Sequence, residues 1–187
     1  MDQENRMPLI GDKAPSFEAV TTQGSIKFPE DYAGKWVILF SHPADFTPVC
    51  TTEFMTFGSM MDEFKALNTE LVGLSVDSIY SHIAWLRKIQ ELEWNGKKNI
   101  NVTFPLIEDI RMEIANKYGM IQPGQSNTQA VRAVFIIDPM GWYGPSCTIR
   151  CLQAVTLMKS SASFWLSKRQ TLRPAPPPPI GGPAMMS

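Results

Sequence analysis

Apolar positions along this chain alternate between short unbroken runs and a three-to-four-residue period. These are the patterns of buried strands and amphipathic helices. Trp36-Val37-Ile38-Leu39-Phe40 is uninterrupted, and its length and composition suit a strand buried on both faces. A break at Ser41-His42-Pro43 follows. From Pro48 the spacing turns helical, with Phe54, Phe57, Met61 and Phe64 on one face. Leu71 to Val76 predicts a second buried strand, and Ile79, Ile83, Leu86 and Ile89 repeat the helical step. Phe104 to Ile107 predicts a short strand, Ile110 to Tyr118 a short helix, and Arg132 to Asp138 another strand closed by Pro139 and Gly141. Upstream, Pro8, Gly11 and Pro15 break any helix over 1–16. Phe17 to Thr21 and Ser25 to Phe28 predict a hairpin turning at Gly24. Strands alternating with helices argue an α/β fold with parallel pairs covered on both faces. Neither GxGxxG nor GxxxxGK followed by Ser or Thr occurs, so no nucleotide-binding turn is expected.

Bulk properties narrow the class. The 187 residues, 44% of them hydrophobic, supply a core for one domain. A formal net charge of -1 gives no electrostatic reason to expect nucleic acid or an anionic membrane as partner. No apolar run is long enough to span a bilayer. Met1 to Arg6 is polar and lacks the apolar core of a signal peptide, so a cytoplasmic location is expected. The cysteines are Cys50, Cys147 and Cys151, an odd and sparse set without a CxxC. A secreted disulfide framework and a zinc ribbon are therefore not indicated.

Cys50 stands where a buried strand hands over to a helix. Thr47 suits the N-cap and Pro48 the first helical position, so Cys50 falls in the first turn. Backbone N–H groups there lack intrahelical acceptors and the helix dipole is positive, which favours a thiolate. Thr47, one turn earlier, can bring its hydroxyl toward the sulfur. On spacing alone, a reactive thiol and a small buried hydrophobe both remain open. Arg132, beside an apolar strand, reads as an edge residue unless a thiolate is there to pair with it. His82 on its helix reads as an ordinary residue.

The segment Pro43 to Cys50, PADFTPVC, resembles the P-x-x-x-T-x-x-C signature of the peroxiredoxin (AhpC/TSA) family. The longer stretch FSHPADFTPVCTTE, Phe40 to Glu53, is similar to the one-cysteine (1-Cys) subgroup. The likeness runs from about Pro8 to Gly141 and includes Gly11-Asp12-Lys13-Ala14-Pro15, Gly73 to Asp77, and Arg132 with the strand after it. It implies a thioredoxin-like fold, a central mixed sheet flanked by helices. It also implies a thiol-dependent peroxidase that reduces hydrogen peroxide and organic hydroperoxides through a sulfenic acid on Cys50. Within the resemblance, Cys50 is the peroxidatic cysteine and Pro43 shields it. Thr47 hydrogen-bonds the peroxide and the sulfur, and Arg132 stabilises thiolate and reacting oxygens. His42 occupies the subgroup's histidine position near the substrate, a packed structural imidazole being the other reading. No cofactor or metal is required. The implied partners are the hydroperoxide, an external thiol reductant (a thioredoxin-like protein or a small thiol), and further copies of the chain as a homodimer or larger ring.

After Gly141 the likeness stops. Family members continue with V/I-R-x-x-x-Y-Y-P and then G-R-N-x-D-E-I, whereas this chain reads GWYGPSCTIRCLQAVTLMKS, Gly141 to Ser160. Joining the last base of each codon to the first two of the next gives a test. Trp142 into Tyr143 must then encode valine, and Met158 into Lys159 glutamate. Tyr143 into Gly144 can encode arginine, Cys147-Thr148-Ile149 can encode Tyr-Tyr, and Ile149 into Arg150 proline. The shifted frame accommodates both family segments in register, so a single-base frameshift near Met140 to Trp142 is expected, a lineage-specific tail being the competing reading. On this reading residues 1–141 form the domain, 142–172 are out of frame, and 173–187, with Pro176 to Pro179 consecutive, form a disordered tail. Cys147 and Cys151 are then not resolving cysteines. Loss of the covering C-terminal helix would expose apolar surface at ~25 cal/mol per Å2. The alternative to an enzyme is therefore a truncated, holdase-like or aggregation-prone relative.

Overall fold

The computed structural model describes residues 7–9, 11–122, 124 and 128–143, together with the backbone of Cys147–Thr148. The expectations for Cys151 and for 149–187 lie outside the described residues.

The predicted hairpin forms as β1 (Phe17–Thr21) and β2 (Gly24–Phe28). Gly24 already pairs with Thr21, so β2 starts one residue before the expected Ser25. The apolar run is β3 (Trp36–Ser41), buried at every position. Ser41, expected as part of the break, is its last residue. The helical period resolves into two pieces, α1 (Pro48–Ser59) and α2 (Met61–Ala66). Met60 separates them at φ -111° and ψ 7°, outside the α-region, and its N–H bonds the carbonyl of Phe57. β4 (Thr69–Ser75) begins earlier than the apolar pattern showed, because Thr69 is buried despite its hydroxyl. Then follow α3 (Ile79–Glu91), β5 (Leu106–Glu108), α4 (Glu113–Lys117), β6 (Ala133–Ile137) and β7 (Cys147–Thr148). β5 starts past Pro105, which has no N–H for a ladder. α4 starts late because Met112 sits at φ 58°. The carboxylate of Asp109 then accepts the N–H groups of Ile114 and Ala115 at 3.2 and 2.7 Å.

The strands make one mixed sheet in the order β2-β1-β5-β4-β3-β6-β7. The centre, β5-β4-β3, is parallel. β6 joins β3 antiparallel, pairing Val37 with Ile137 and Phe40 with Val134. Strand alternation sends neighbouring side chains of β3 to opposite faces. Ile38 and Phe40 join the cluster of Phe54, Phe57, Phe64, Trp85 and Phe104, beneath α1, α2 and α3. Val37 and Leu39 join Phe28, Leu74, Ile114, Tyr118 and Phe135 on the other face. The uninterrupted apolar run is thus the trace of a strand with two cores.

The ordered backbone continues past Gly141. Trp142 bridges to Lys13 and Tyr143 to Ile137. The Tyr143 ring is buried, with centroids 6.1 Å from Tyr118 and 5.8 Å from Phe135. No helix among the described residues is long and apolar enough to cross a membrane.

One close approach positions α1 on the sheet. A Cβ at Gly73 would meet Leu106 Cδ1 at 2.8 Å, Phe40 Cζ at 3.3 Å and Phe54 Cζ at 3.5 Å. Gly73→Ala is expected to destabilise the protein by about 1–3 kcal/mol through overpacking. Urea unfolding measures this, and an unchanged midpoint would show that the contact relaxes freely.

Candidate active site

α1 begins as its sequence dictates. Thr47 occupies the N-cap with extended backbone (φ -79°, ψ 141°), and Pro48 opens the helix. The expected side-chain cap does not form. The Thr47 hydroxyl instead donates to the carbonyl of Ala44 at 3.1 Å, while its own carbonyl accepts the N–H of Thr51 at 2.9 Å. Among the described residues, no acceptor takes the N–H of Val49 or of Cys50. Two first-turn donors therefore stay available beside the sulfur.

Cys50 is 1% exposed. Arg132, immediately before β6, brings an Nη to 2.9 Å from its Sγ, and its Nε donates to Glu53 Oε2 at 3.2 Å. The backbone around Arg132 is pinned by Ser41. The Ser41 hydroxyl donates to the carbonyl of Val131 at 2.6 Å and accepts the N–H of Ala133 at 3.1 Å. One guanidinium thus spans the sulfur and a carboxylate one helical turn along, a fork geometry that a lysine cannot reproduce. Glu53 and Ser41 were not singled out in the sequence. The step of three residues from Cys50 to Glu53 on one helix face was the available signal for the first.

The turn between β3 and α1 holds the other expected residues. Pro43 is half-buried there. Phe46 adopts φ 59°, a conformation that costs a non-glycine residue about 1–3 kcal/mol and persists only where surroundings enforce it. Asp45 supplies the enforcement. Its N–H donates to Asp77 Oδ2 at 2.9 Å, and its carboxylate contacts His42 Nε2 at 2.9 Å and His82 Nδ1 at 2.8 Å. His82, read from the sequence as ordinary, is wholly buried, and its Nε2 lies 3.1 Å from the carbonyl oxygen of Ile107. His42 packs its ring 5.0 Å from Phe54 and 5.1 Å from Trp85. Its Nδ1 has no partner among the described residues.

Burial pushes the Asp45 carboxyl upward, but the hydrogen bonds from His42 and His82 outweigh it and hold the group at about 2. Burial lowers His42, and the bond to Asp45 does not offset it. Ligand-type atoms of His42, Asp45 and Asp77 fall within 4.8 Å of one another. Both Asp45 oxygens already hold imidazoles, and Asp77 Oδ2 accepts from Asp45 and from the Ser75 hydroxyl, so the cluster is a hydrogen-bond network.

The structure therefore brings together Cys50 and Arg132, sets Thr47 and Pro43 at the turn before the helix, and places His42 in a separate buried network beside Phe54. A mixed sheet with helices on both faces, and a buried thiol at the start of the helix that follows a central strand, is the thioredoxin-like arrangement.

Known proteins share it. The model of the AhpC/TSA family matches residues 10–142. A peroxiredoxin of Methanosarcina mazei is 64% identical over 167 residues, covering 83% of this chain and 76% of that protein. A peroxiredoxin of Aquifex aeolicus is 57% identical over 135 residues, covering 72% of this chain and 59% of that protein. The chain likewise spans less than two thirds of several other curated peroxiredoxins that it matches. Among solved structures, the yeast mitochondrial 1-Cys peroxiredoxin superposes with a TM-score of 0.75 at 33% identity, covering 88% of this chain and 80% of that one. Peroxiredoxin 6 of Arenicola marina gives a TM-score of 0.74 at 30% identity, covering 85% and 75%. The chain belongs to the AhpC/TSA family, the peroxiredoxins.

Replacing Arg132 by Met should slow alkylation of Cys50 at neutral pH by about fivefold or more, since a full charge this close is worth roughly 1–4 kcal/mol between bulk water and a protein surface. Iodoacetamide kinetics measure it. An unchanged rate would show that the guanidinium does not activate the sulfur.

Proposed function

We propose that the protein is a thiol-dependent peroxidase that reduces hydrogen peroxide and organic hydroperoxides. The observation that carries this reading is the Arg132 Nη at 2.9 Å from a buried Cys50 Sγ in the first turn of α1. The sulfur, as thiolate, attacks one oxygen of the peroxide. The S–O bond forms as the O–O bond breaks, and the electron pair leaves on the second oxygen. That oxygen takes a proton and departs as water or an alcohol. The charge it gathers in the transition state meets the Arg132 guanidinium and the N–H groups of Val49 and Cys50, preorganised donors of the kind that lower such barriers. Thr47, turning its hydroxyl from Ala44, and His42 complete the substrate contacts, and Pro43 keeps bulk water from the sulfur.

Cys50 is left as a sulfenic acid. An external thiol condenses with it, releasing water and forming a mixed disulfide, and a second thiol then regenerates Cys50. This is the one-cysteine cycle, supported by the FSHPADFTPVCTTE segment. The name of the yeast mitochondrial relative speaks of thiol resolution by glutathione and thioredoxin systems, and we infer a similar external reductant here. A homodimer or larger ring and a cytoplasmic location belong to the same proposal. So does the frameshift reading, in which 1–141 is the native domain and 142–172 and 173–187 are out-of-frame and disordered. The obligatory valine and glutamate of the shifted frame support it. Nothing among the described residues favours the holdase-like alternative.

Cys50→Ser should abolish peroxide consumption in a stopped-flow assay, while Cys147→Ser and Cys151→Ser leave it intact. A Cys50→Ser protein that still consumes peroxide would sink the assignment. The coding DNA across codons 138–162 should show the second frame open with the family segments in it, and a stop codon there would end the frameshift idea.

A further inference from the structure

The hydrogen bonds of His82 count its protons. Its Nε2 faces the carbonyl oxygen of Ile107 at 3.1 Å. A carbonyl oxygen only accepts, so Nε2 carries hydrogen. Its Nδ1 faces Asp45 Oδ2 at 2.8 Å. An ionised carboxylate also only accepts, so Nδ1 carries hydrogen as well. An imidazole with both hydrogens is a cation, and this one has no solvent exposure. Its countercharge is Asp45, which the other imidazole does not neutralise but shares.

The second oxygen of Asp45 fixes His42. With His42 Nε2 donating to Oδ1 at 2.9 Å, a neutral His42 must leave Nδ1 bare. That nitrogen is the one with no partner among the described residues. Protonating it would add an uncompensated charge to a site that already holds one cation and one anion. Asp77, the remaining carboxylate in contact, is engaged by the Asp45 N–H and the Ser75 hydroxyl. The same Asp45 ties the turn before α1 to Asp77 in the loop after β4 and to α3, and that turn carries Pro43, Thr47 and the strained Phe46.

We propose that His82 is a positioning residue of the peroxidase site: a buried cation that acts through Asp45 to hold His42 in its Nδ1-bare form and to lock the turn leading to Cys50. The positioning role rests on the peroxidase reading above, whereas the protonation pattern rests on the hydrogen-bond geometry and an ionised Asp45. His82 touches neither the sulfur nor the peroxide.

Nitrogen-15 spectra of the histidine side chains in the intact chain test the pattern. At neutral pH both nitrogens of His82 should be protonated. His42 should show a protonated Nε2 and a bare Nδ1. A bare nitrogen on His82 would move the proton to Asp45 and overturn the proposal. His82→Gln keeps a donor for Asp45 without the charge. It should shift the His42 signals and lower the rate of peroxide consumption at least about tenfold, the usual scale for a group that orients a reacting one. A His82→Gln protein with wild-type His42 signals and wild-type rate would overturn the positioning role. If that variant does not fold, the wild-type spectrum still decides whether His82 is a cation. A Cys50→Ser protein that keeps its activity would defeat the peroxidase reading instead, and leave the spectrum as the measure of His82.

Discussion

The antiparallel register of β3 with β6 is the constraint on which the site depends. Pairing Phe40 with Val134 brings the end of β3 and the start of β6 together at the same end of the two strands. Ser41 then fastens both residues flanking Arg132, and the guanidinium arrives at a sulfur 82 residues away in the chain. A slip of one residue would turn every side chain of β6 to the opposite face and carry Arg132 away from α1. The register is specified twice, because both faces of β3 and β6 are buried. Any slip would put each alternating set of apolar side chains into the wrong core.

The site also holds more buried charge than its size suggests. Arg132 is flanked by Glu53 and the Cys50 sulfur, and Asp45 by an imidazolium and a neutral imidazole. Isolated ions at such depth are costly to desolvate. Here each has a partner of opposite sign or a directed hydrogen bond, and the two groups lie on either side of one short turn. The positive φ of Phe46 is the mark of that turn being held from both ends. A turn left to its own propensities would not place a phenylalanine there.

Much of this was legible from residues alone, and the parts that were not share a cause. Buried strands announce themselves through unbroken apolar runs, and Thr47-Pro48 announces a helix start whose first turn includes Cys50. Arg132 gained meaning only with that thiol in view. Asp45 did not stand out, because its partners are three and 37 residues distant and no local pattern couples them. His82 stands at helical steps from Ile79, Leu86 and Ile89, on the face that α3 buries, but a polar residue on a helix reads as solvated until tertiary packing covers it. The same override explains Thr69, buried at the start of β4 though it broke the apolar run. Thr47 took the capping position without the capping bond, because the turn offered its hydroxyl the Ala44 carbonyl instead.

The missing side chain at Gly73 has a geometric reach beyond its strand. Phe54 fills the hollow there, four residues after Cys50 on the same helix, so the hollow sets how deeply α1 settles onto the sheet. Arg132 is anchored to the sheet and Cys50 to the helix. Their separation is therefore gauged by a methyl group that is not present: a bulkier residue at that point would act as a shim, lifting the helix and opening the gap between sulfur and guanidinium without altering either.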